Sequence, residues 1–447
     1  MFNFLYNVFY HKNQTKNNTL MKKLIKHFLN VKNVKVLGAK YEDSSNAVVF
    51  KLQPTKGHQC LCPVCGRKSE FYDRGRGMRR WRALDFGTHK AYVESESPRI
   101  KCRVHGVHTA KVPWARHKST FTRDFEDTVA WLSLHLSRSD VSTFMRISWN
   151  TVGPIISRCK IDADPNPGHR FDNLRRIGID ETSYRKGHKY LTVIVNHDTN
   201  SVIWVHEKHG KEVLKEFLEE LSPEQRASIE CYSADGARWI SETMAEYCPK
   251  AERCLDSFHL VEWVNEALDE VRCEAWQEAK SKEVKQKRNR GRPKKGDEKD
   301  RTAQQIKGSS IALGKAPENL TESQKARIDF IAVTDKKLYR AYCLKEMIRT
   351  LIKLPADEIE PMLKSWLWKA SHSRIPAIYK VQQKIRRHVS AILSTARHKL
   401  SNARIEATNN KIKLSIRIAY GFRNIGNMID MIMLRCSDIP IFLPGRQ

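Results

Sequence analysis

Between Leu174 and Arg272, short β-branched runs alternate with amphipathic helical stretches, and several of the runs lead into an aspartate. RRIGIDETS reads as a short apolar strand ending on Asp180. KYLTVIVNHD and SVIWVHE follow as two hydrophobic strands parted by a turn at 198–200. KEVLKEFLEEL is an amphipathic helix, and SIECYSADGARW a strand ending on Asp235. RCLDSFH is strand-like and ends on Asp256, and LVEWVNEALDEVR is helical. The order β-β-β-α-β-α-β-α leaves few folds open.

That order is the one found in an RNase H-like domain, where the first and fourth strands are neighbours. Asp180 and Asp235 then come from adjacent strands. Two such carboxylates suit a pair of Mg²⁺ ions about 3.5–4 Å apart, because hard cations take oxygen ligands. One ion activates the attacking oxygen and the other stabilises the leaving one. A single Asp at a strand end is more often a turn former, so a third acid is required.

The charge distribution supplies it. The 447 residues carry 80 Lys and Arg against 50 Asp and Glu, a formal charge of +30. Such a surplus points to a polyanionic partner, nucleic acid ahead of lipid. From 361 to 429 there are 14 Lys and Arg but one acid, Glu406. In SNARIEATNNKIK, Asn402, Glu406, Asn409 and Lys413 share one helical face, on which Asn402, Asn409 and Lys413 are expected to contact DNA. A lone carboxylate on a basic helix suits delivery of an acid to a metal site beside a DNA backbone; the plainer alternative is an exposed helical Glu paired with its neighbours.

No window holds the ~18 consecutive apolar residues of a membrane span. The opening MFNFLYNVFY lacks a preceding basic region and a small-residue cleavage site, so secretion is not expected. Eleven scattered Cys are not a disulfide framework and fit a reducing cytoplasm.

Cys62-Pro-Val-Cys65-Gly66 is a knuckle whose tight turn aims two thiolates at one ion. Cys102-Arg-Val-His105-Gly106 repeats the spacing 37 residues later. Cys62, Cys65, Cys102 and His105 are the favoured ligands of one structural Zn²⁺, with Cys60, His58 and His108 as substitutes. Four protein ligands leave such a zinc no open position for chemistry.

FEDTVAWLSLHL puts Phe125, Val129, Leu132 and Leu136 at helical spacing. SRSDVSTFMRISWNTVGPIIS then offers a helix capped from Asp140, a turn near Ile147 and Ser148, and a second helix from Ser148. This resembles a helix-turn-helix, with Arg146, Ser148, Asn150 and Thr151 placed to meet DNA; the alternative is a plain helical hairpin.

The 170 residues between Asp235 and Glu406 exceed any single loop of a compact domain and read as an all-helical insertion. YRAYCLKEMIRTL, EIEPMLKSWLWKA and IPAIYKVQQKIRRHVSAIL each have helical periodicity. Lys280 to Lys295 holds nine basic residues and one acid around Arg290-Gly291-Arg292-Pro293, followed by Lys294 and Lys295. This resembles an AT-hook core for a narrow minor groove, or else is a solvated loop.

Taken together, the motifs CPVCG, CRVHGVHTAKVPWAR, RISWNTV, GIDETSYRKGHKY, YSADGAR, CLDSFHLVEWVNEALDEVR, SNARIEATNNKIK and AYGFRN resemble bacterial insertion-sequence transposases of the ISL-three family over nearly the whole chain. The resemblance implies a DDE triad of Asp180, Asp235 and Glu406, with Mg²⁺ or Mn²⁺ as cofactor. It implies an auxiliary pair, Asp256 and His259, from a signature of Asp or Cys, two residues, then His. It also implies double-stranded DNA as partner (terminal inverted repeats and target), a homo-oligomer on DNA, no membrane, and a nucleoid-associated bacterial cytoplasmic protein. The rivals are a non-catalytic DNA-binding regulator and a metal-dependent nuclease that only hydrolyses.

The expected fold is multidomain α+β: a small zinc-binding domain and a helix-turn-helix precede an RNase H-like α/β catalytic domain interrupted by an all-α insertion. The expected limits are 1–57 for an N-terminal extension with a short β segment, 58–118 for zinc binding, and 119–165 for the helix-turn-helix. The catalytic domain takes 174–273 and 396–447, and the insertion takes 274–395 with a basic loop at 280–300.

Overall fold

The computed structural model describes residues 19–234, 237–255, 257–286, 302–400, 403–419 and 421–446. The chain divides into two compact units, one of residues 1–167 with 414–447 and one of 168–413.

The first unit opens with helix α1 (19–28) and strands β1 (Val34–Glu42) and β2 (Ala47–Pro54). Strands β3 (Glu70–Asp73), β4 (Met78–Phe86), β5 (His89–Glu96), β6 (Arg99–Cys102) and β7 (Gly106–Thr109) follow. Val34 and Val36 face inward while Lys35 and Leu37 face out, the period-2 pattern of a half-buried strand. A four-stranded sheet runs β1-β2-β5-β4, antiparallel except for the parallel β2–β5 pair, and a second of three strands runs β3-β6-β7. The core of the larger sheet gathers Val34, Val36, Leu52, Val93 and Ile25 around Trp81 and Trp114. Those two rings meet edge to face with centroids 5.5 Å apart.

Three helices come next: α2 (Arg123–His135), α3 (Arg138–Phe144) and α4 (Trp149–Ala163). Thr122 caps α2 by accepting the Phe125 N–H, and Phe125, Val129 and Ala130 turn inward. Leu136, expected on the same row, is instead the C-cap of α2 and is exposed. Helix α3 starts at Arg138 rather than Asp140, because the Ser137 hydroxyl takes the Asp140 N–H and fixes the first turn. Buried Val152, Ile155, Ile156 and Cys159 line the inner face of α4. That face packs on α2 and on the terminal helix Ile425–Cys436, whose Asp430 accepts from Lys160 Nζ at 2.8 Å.

Inside this unit Glu126 is fully buried and ionically satisfied. Arg158 Nε donates to it at 2.8 Å, Ser119 Oγ at 2.7 Å and Arg116 Nη1 at 3.4 Å. Arg116 also reaches Asp127 and Asp162, so one network ties the loop after β7 to α2 and α4. Removing one member of a buried ionic network strands the others. Glu126→Ala is therefore expected to cost about 3 kcal/mol, read by chemical denaturation of the full chain. A loss below about 1 kcal/mol would mean that the network contributes no net stability.

The second unit carries β8 (Arg176–Arg185), β9 (Lys189–Asn196), β10 (Ser201–Glu207), α5 (Lys211–Glu220), α6 (Pro223–Ser228), β11 (Cys231–Ala234), α7 (Arg238–Tyr247) and β12 (Glu252–Leu255). The sheet order is β10-β9-β8-β11-β12. Strands β10, β9 and β8 are antiparallel, while β8, β11 and β12 are mutually parallel. Strand β8 does not stop at Asp180 as its apolar run suggested. The β9 partner continues the ladder to Arg185↔Lys189, which puts Asp180 in mid-strand opposite Val193. Ile177, Ile179, Ile194, Ile203, Tyr232 and Ala234 pack with Val213, Leu214 and Phe217 of α5 and with Ile240 and Met244 of α7.

Beyond β12 the described residues up to 398 contain no strand. They form α8 (Ser257–Gln286), α9 (Thr302–Lys307), α10 (Ser310–Gly314), α11 (Glu322–Thr334), α12 (Lys336–Leu351), α13 (Ala356–Ser371), α14 (Pro376–Arg387) and α15 (Val389–His398). Their core includes Leu260, Val264, Val271, Leu338, Ile348, Leu363, Trp366 and Ile378. The stretch 375–393 is two helices, not one, because His388 leaves helical geometry at φ −111° and ψ 14° and its ring lies against Trp263 at 5.6 Å. Helix α16 (Ala403–Ile418) follows. Among the described residues no helix is long and apolar enough to cross a membrane.

Candidate functional site

Two places concentrate chemistry. In the first unit the knuckle turn closes through a Gly66 N–H to Cys62 C=O bond of 2.9 Å. Gly66 and Gly106, at φ +70° and +75°, take the left-handed conformation that ends each knuckle. Strands β6 and β7 carry the second knuckle back to the first, so Cys62, Cys65, Cys102 and His105 come together with donor atoms within 4.8 Å of one another. Cys65 Sγ lies 3.8 Å from Cys102 Sγ, and His105 Nδ1 lies 3.7 Å from Cys62 Sγ and 3.6 Å from Cys102 Sγ. A tetrahedral zinc with Zn–S of about 2.3 Å and Zn–N of about 2.05 Å spaces its ligands about 3.8 Å and 3.6 Å apart. The donor set and its spacing fit zinc.

The thiols also behave as a metal-ready group. Backbone N–H groups of His105 and Val104, with the His105 ring, bring the Cys102 thiol down to about 6. At Cys65 the Arg67 N–H lowers the pKa, but desolvation and the neighbouring Cys62 and Cys102 sulfurs outweigh it and raise it. Three adjacent thiolates repel one another unless a cation lies between them. Of the possible substitutes, His58 bonds Thr55 Oγ1, His108 meets the His117 ring, and Cys60 stays outside the cluster.

The second place is the parallel half of the five-stranded sheet. Ile179 of β8 pairs with Ala234 of β11, and Ala234 pairs with Leu255 of β12, making one row across three strands. In sequence, each member of that row is followed at once by an aspartate: Asp180, Asp235 and Asp256. Asp235 and Asp256 lie outside the described residues, as do Asn402 and the basic Arg290, Arg292, Lys294 and Lys295.

Asp180 is half-buried, and both its oxygens are engaged. Oδ1 accepts the Glu181 N–H at 2.9 Å, and Oδ2 accepts Nδ2 of Asn409 from α16. Glu406 stands one turn before Asn409 and is exposed, and Lys413 further along is exposed too. Asn409 was expected among the DNA contacts, yet its amide is turned to Asp180. The bond joins residues 229 apart in sequence; the only sequence signal for it was the three-residue step from Glu406. The amide's other atom, Oδ1, is buried and has no hydrogen-bond partner among the described residues. The Asp180 carboxylate and the unsatisfied carboxamide oxygen of Asn409 are hard oxygen donors of the kind that Mg²⁺ takes.

His259 bonds Glu262 Oε2 through Nδ1 at 3.0 Å, and its ring stacks towards Trp263, over which Lys384 Nζ sits at 3.8 Å. Pattern reading had no means of finding this Trp263 platform, since its members come from two distant helices. In the helix-turn-helix, Ser148 and Asn150 are exposed at the start of α4 and Thr151 is half-buried. Arg146, at φ +53° in the turn, is committed to the Asp85 carboxylate and the Thr88 carbonyl.

Comparison with known proteins agrees with this layout. Residues 58–105 match the zinc-finger of the transposases IS204, IS1001, IS1096 and IS1165. Residues 110–159 match the helix-turn-helix domain of transposase family ISL3, and 177–432 match that family's DDE transposase model. The fold and sites thus define a DNA-processing enzyme of the transposase class, with a zinc ribbon and a helix-turn-helix ahead of a DDE domain. The chain belongs to the ISL3 family of insertion-sequence transposases. It is 43% identical over 406 residues to the transposase for insertion sequence element IS1557 of Mycobacterium tuberculosis, covering 89% of this chain and 90% of that one. It is 24% identical over 388 residues to the IS1001 transposase of Bordetella parapertussis, covering 86% and 90%.

Proposed function

We propose that the protein binds the terminal inverted repeats of its own insertion sequence, cuts the DNA strand there, and joins the freed 3′ end to target DNA. The observation that carries this reading is the row Ile179–Ala234–Leu255, each member followed by an aspartate, with the Glu406 helix bonded to Asp180 through Asn409. The strand order supports an RNase H-like domain over 174–273 and 396–447, with the helices of 274–395 as its insertion. The zinc-binding domain is assigned to 58–118 and the helix-turn-helix to 119–165, after an N-terminal extension over 1–57.

Asp180, Asp235 and Glu406 are the residues that would hold two Mg²⁺ or Mn²⁺ ions. When bound, such a pair supplies activation of the attacking oxygen and stabilisation of the leaving one. The chain's own contribution is placement. The Glu181 N–H fixes one face of the Asp180 carboxylate, and α16, the helix that carries Glu406, is bonded to Asp180 through Asn409. Exposed Lys413 on that helix meets phosphate without reading sequence. Ser148, Asn150 and Thr151 at the start of α4 read the repeat, and Arg146 joins them once released from Asp85. Arg290, Arg292, Lys294 and Lys295 add contacts to the DNA. Asp256 and His259 act as auxiliary positioning residues near the site.

Cys62, Cys65, Cys102 and His105 hold one structural zinc that folds the ribbon. The protein works as a homo-oligomer on the paired ends of the element, at the nucleoid in the cytoplasm. A labelled duplex carrying the element's end tests this reading. Sequence-specific binding without added Mg²⁺, with cleavage at the repeat boundary on adding it, is expected. Binding without cleavage in either Mg²⁺ or Mn²⁺ would favour a non-catalytic regulator.

A further inference from the structure

Asn409 is the residue that the acidic site does not yet explain. Its Nδ2 donates to Asp180 Oδ2, so the carboxamide is held one functional-group width from the carboxylate. Its Oδ1 is buried with no hydrogen-bond partner among the described residues. A flipped amide would not relieve this, because oxygen would then face carboxylate oxygen. The orientation is fixed by charge, and the orphan acceptor is a consequence of it.

An unsatisfied buried acceptor ordinarily costs about as much as a lost hydrogen bond, and a carboxamide oxygen is a good ligand for hard cations. Asp180 meanwhile retains free lone pairs, since a carboxylate offers about four acceptor positions and two are used here. The helical step from Glu406 to Asn409 places both side chains on one face of α16. Asn409 thus joins Asp180 to the same helical face that carries Glu406.

We propose that Asn409 belongs to the metal site, its Nδ2 steering Asp180 while its Oδ1 coordinates the divalent cation directly or through one water. This rests on the reading of Asp180 and Glu406 as metal ligands. It adds a fourth side chain that couples the helix to the sheet through the metal as well as through a hydrogen bond. The test measures binding without turnover: Mn²⁺ titrated into the full-length protein and followed by the electron paramagnetic resonance signal of free Mn²⁺. Asn409→Ala is expected to weaken Mn²⁺ binding about 10- to 100-fold. It should also raise the half-saturating Mg²⁺ for end cleavage by a similar factor, with most of the rate recovered at high metal. Asn409→Asp keeps the oxygen and loses the N–H, so its Mn²⁺ affinity should stay within about threefold of the parent.

Zinc content and end binding without added Mg²⁺, unchanged in both variants, serve as the folding control. If Asn409→Ala slows cleavage at every Mg²⁺ concentration while Mn²⁺ affinity holds, the residue only packs, and the proposal fails. An Asn409→Asp variant as weak as Asn409→Ala would refute the oxygen-ligand half. Should Asp180→Asn also leave Mn²⁺ binding unchanged, the fault lies in the metal-site reading itself and not in Asn409.

Discussion

Asp180→Asn is expected to lower Mg²⁺-dependent cleavage of a labelled element end by on the order of 10³-fold or more, while affinity for that end without added Mg²⁺ shifts less than about twofold. The substitution is nearly isosteric and leaves β8 and its ladder to β9 intact, since the backbone makes those bonds. It removes one negative charge where a hard dication needs it, and a factor of 10³ in rate is about 4 kcal/mol of barrier. Glu406→Gln should act as strongly, for the same reason and from a different element. Asp235→Asn completes the set. End binding is the control because the helix-turn-helix and the zinc ribbon belong to other segments of the chain. Cleavage within tenfold of the parent in any of the three would remove that residue from the triad.

The second large effect concerns the ribbon. Cys62→Ser is expected to take zinc content from about one per chain to near zero, and to weaken end binding by at least about tenfold. The small ribbon buries little besides Cys62, Ile100, Cys102 and Ala110, too little apolar surface to fold without the ion. Free energy of zinc binding is then folding free energy for this segment. Acidification should do the same reversibly. The Cys102 thiol ionises more readily than usual, with a pKa of about 6, so its preference for the ionised, metal-ready form is fully present above about pH 9 and lost as pH falls through about 6. Dialysed protein should hold its zinc near pH 7.5 and release it towards pH 5, as followed by metal analysis. Full retention of zinc by Cys62→Ser would mean that Cys60, His58 or His108 completes the site instead.

How much of this was legible beforehand depends on how far each contact reaches. The alternation of strands and helices from Leu174 to Arg272 was readable because burial writes β-branched runs directly into sequence. The knuckles were readable because two ligands and a glycine repeat within five residues. The acid at 406 stood out only against a basic background. What escaped notice was set by tertiary partners. Strand β8 runs past Asp180 because β9 offers it a ladder, and the helix over 375–393 breaks where His388 turns to Trp263. The parallel pairing of Ala47–Lys51 with Lys90–Glu94 joins segments about forty residues apart and has no local signature. Arg146 looked like a free DNA contact until the structure placed Asp85 against it. Asn409 looked like another; Asp180, 229 residues away, claims its amide instead.

The central claim is strand transfer, and one measurement reaches it. Purified full-length protein is incubated with a radiolabelled duplex ending in the element's terminal repeat, an unlabelled supercoiled plasmid and Mg²⁺, and the products are run on a denaturing gel. The proposed function predicts label covalently joined to plasmid, absent with EDTA and absent with Asp180→Asn. Label released only as a cut fragment, with none on the plasmid, would contradict it and leave a nuclease that hydrolyses and does not join.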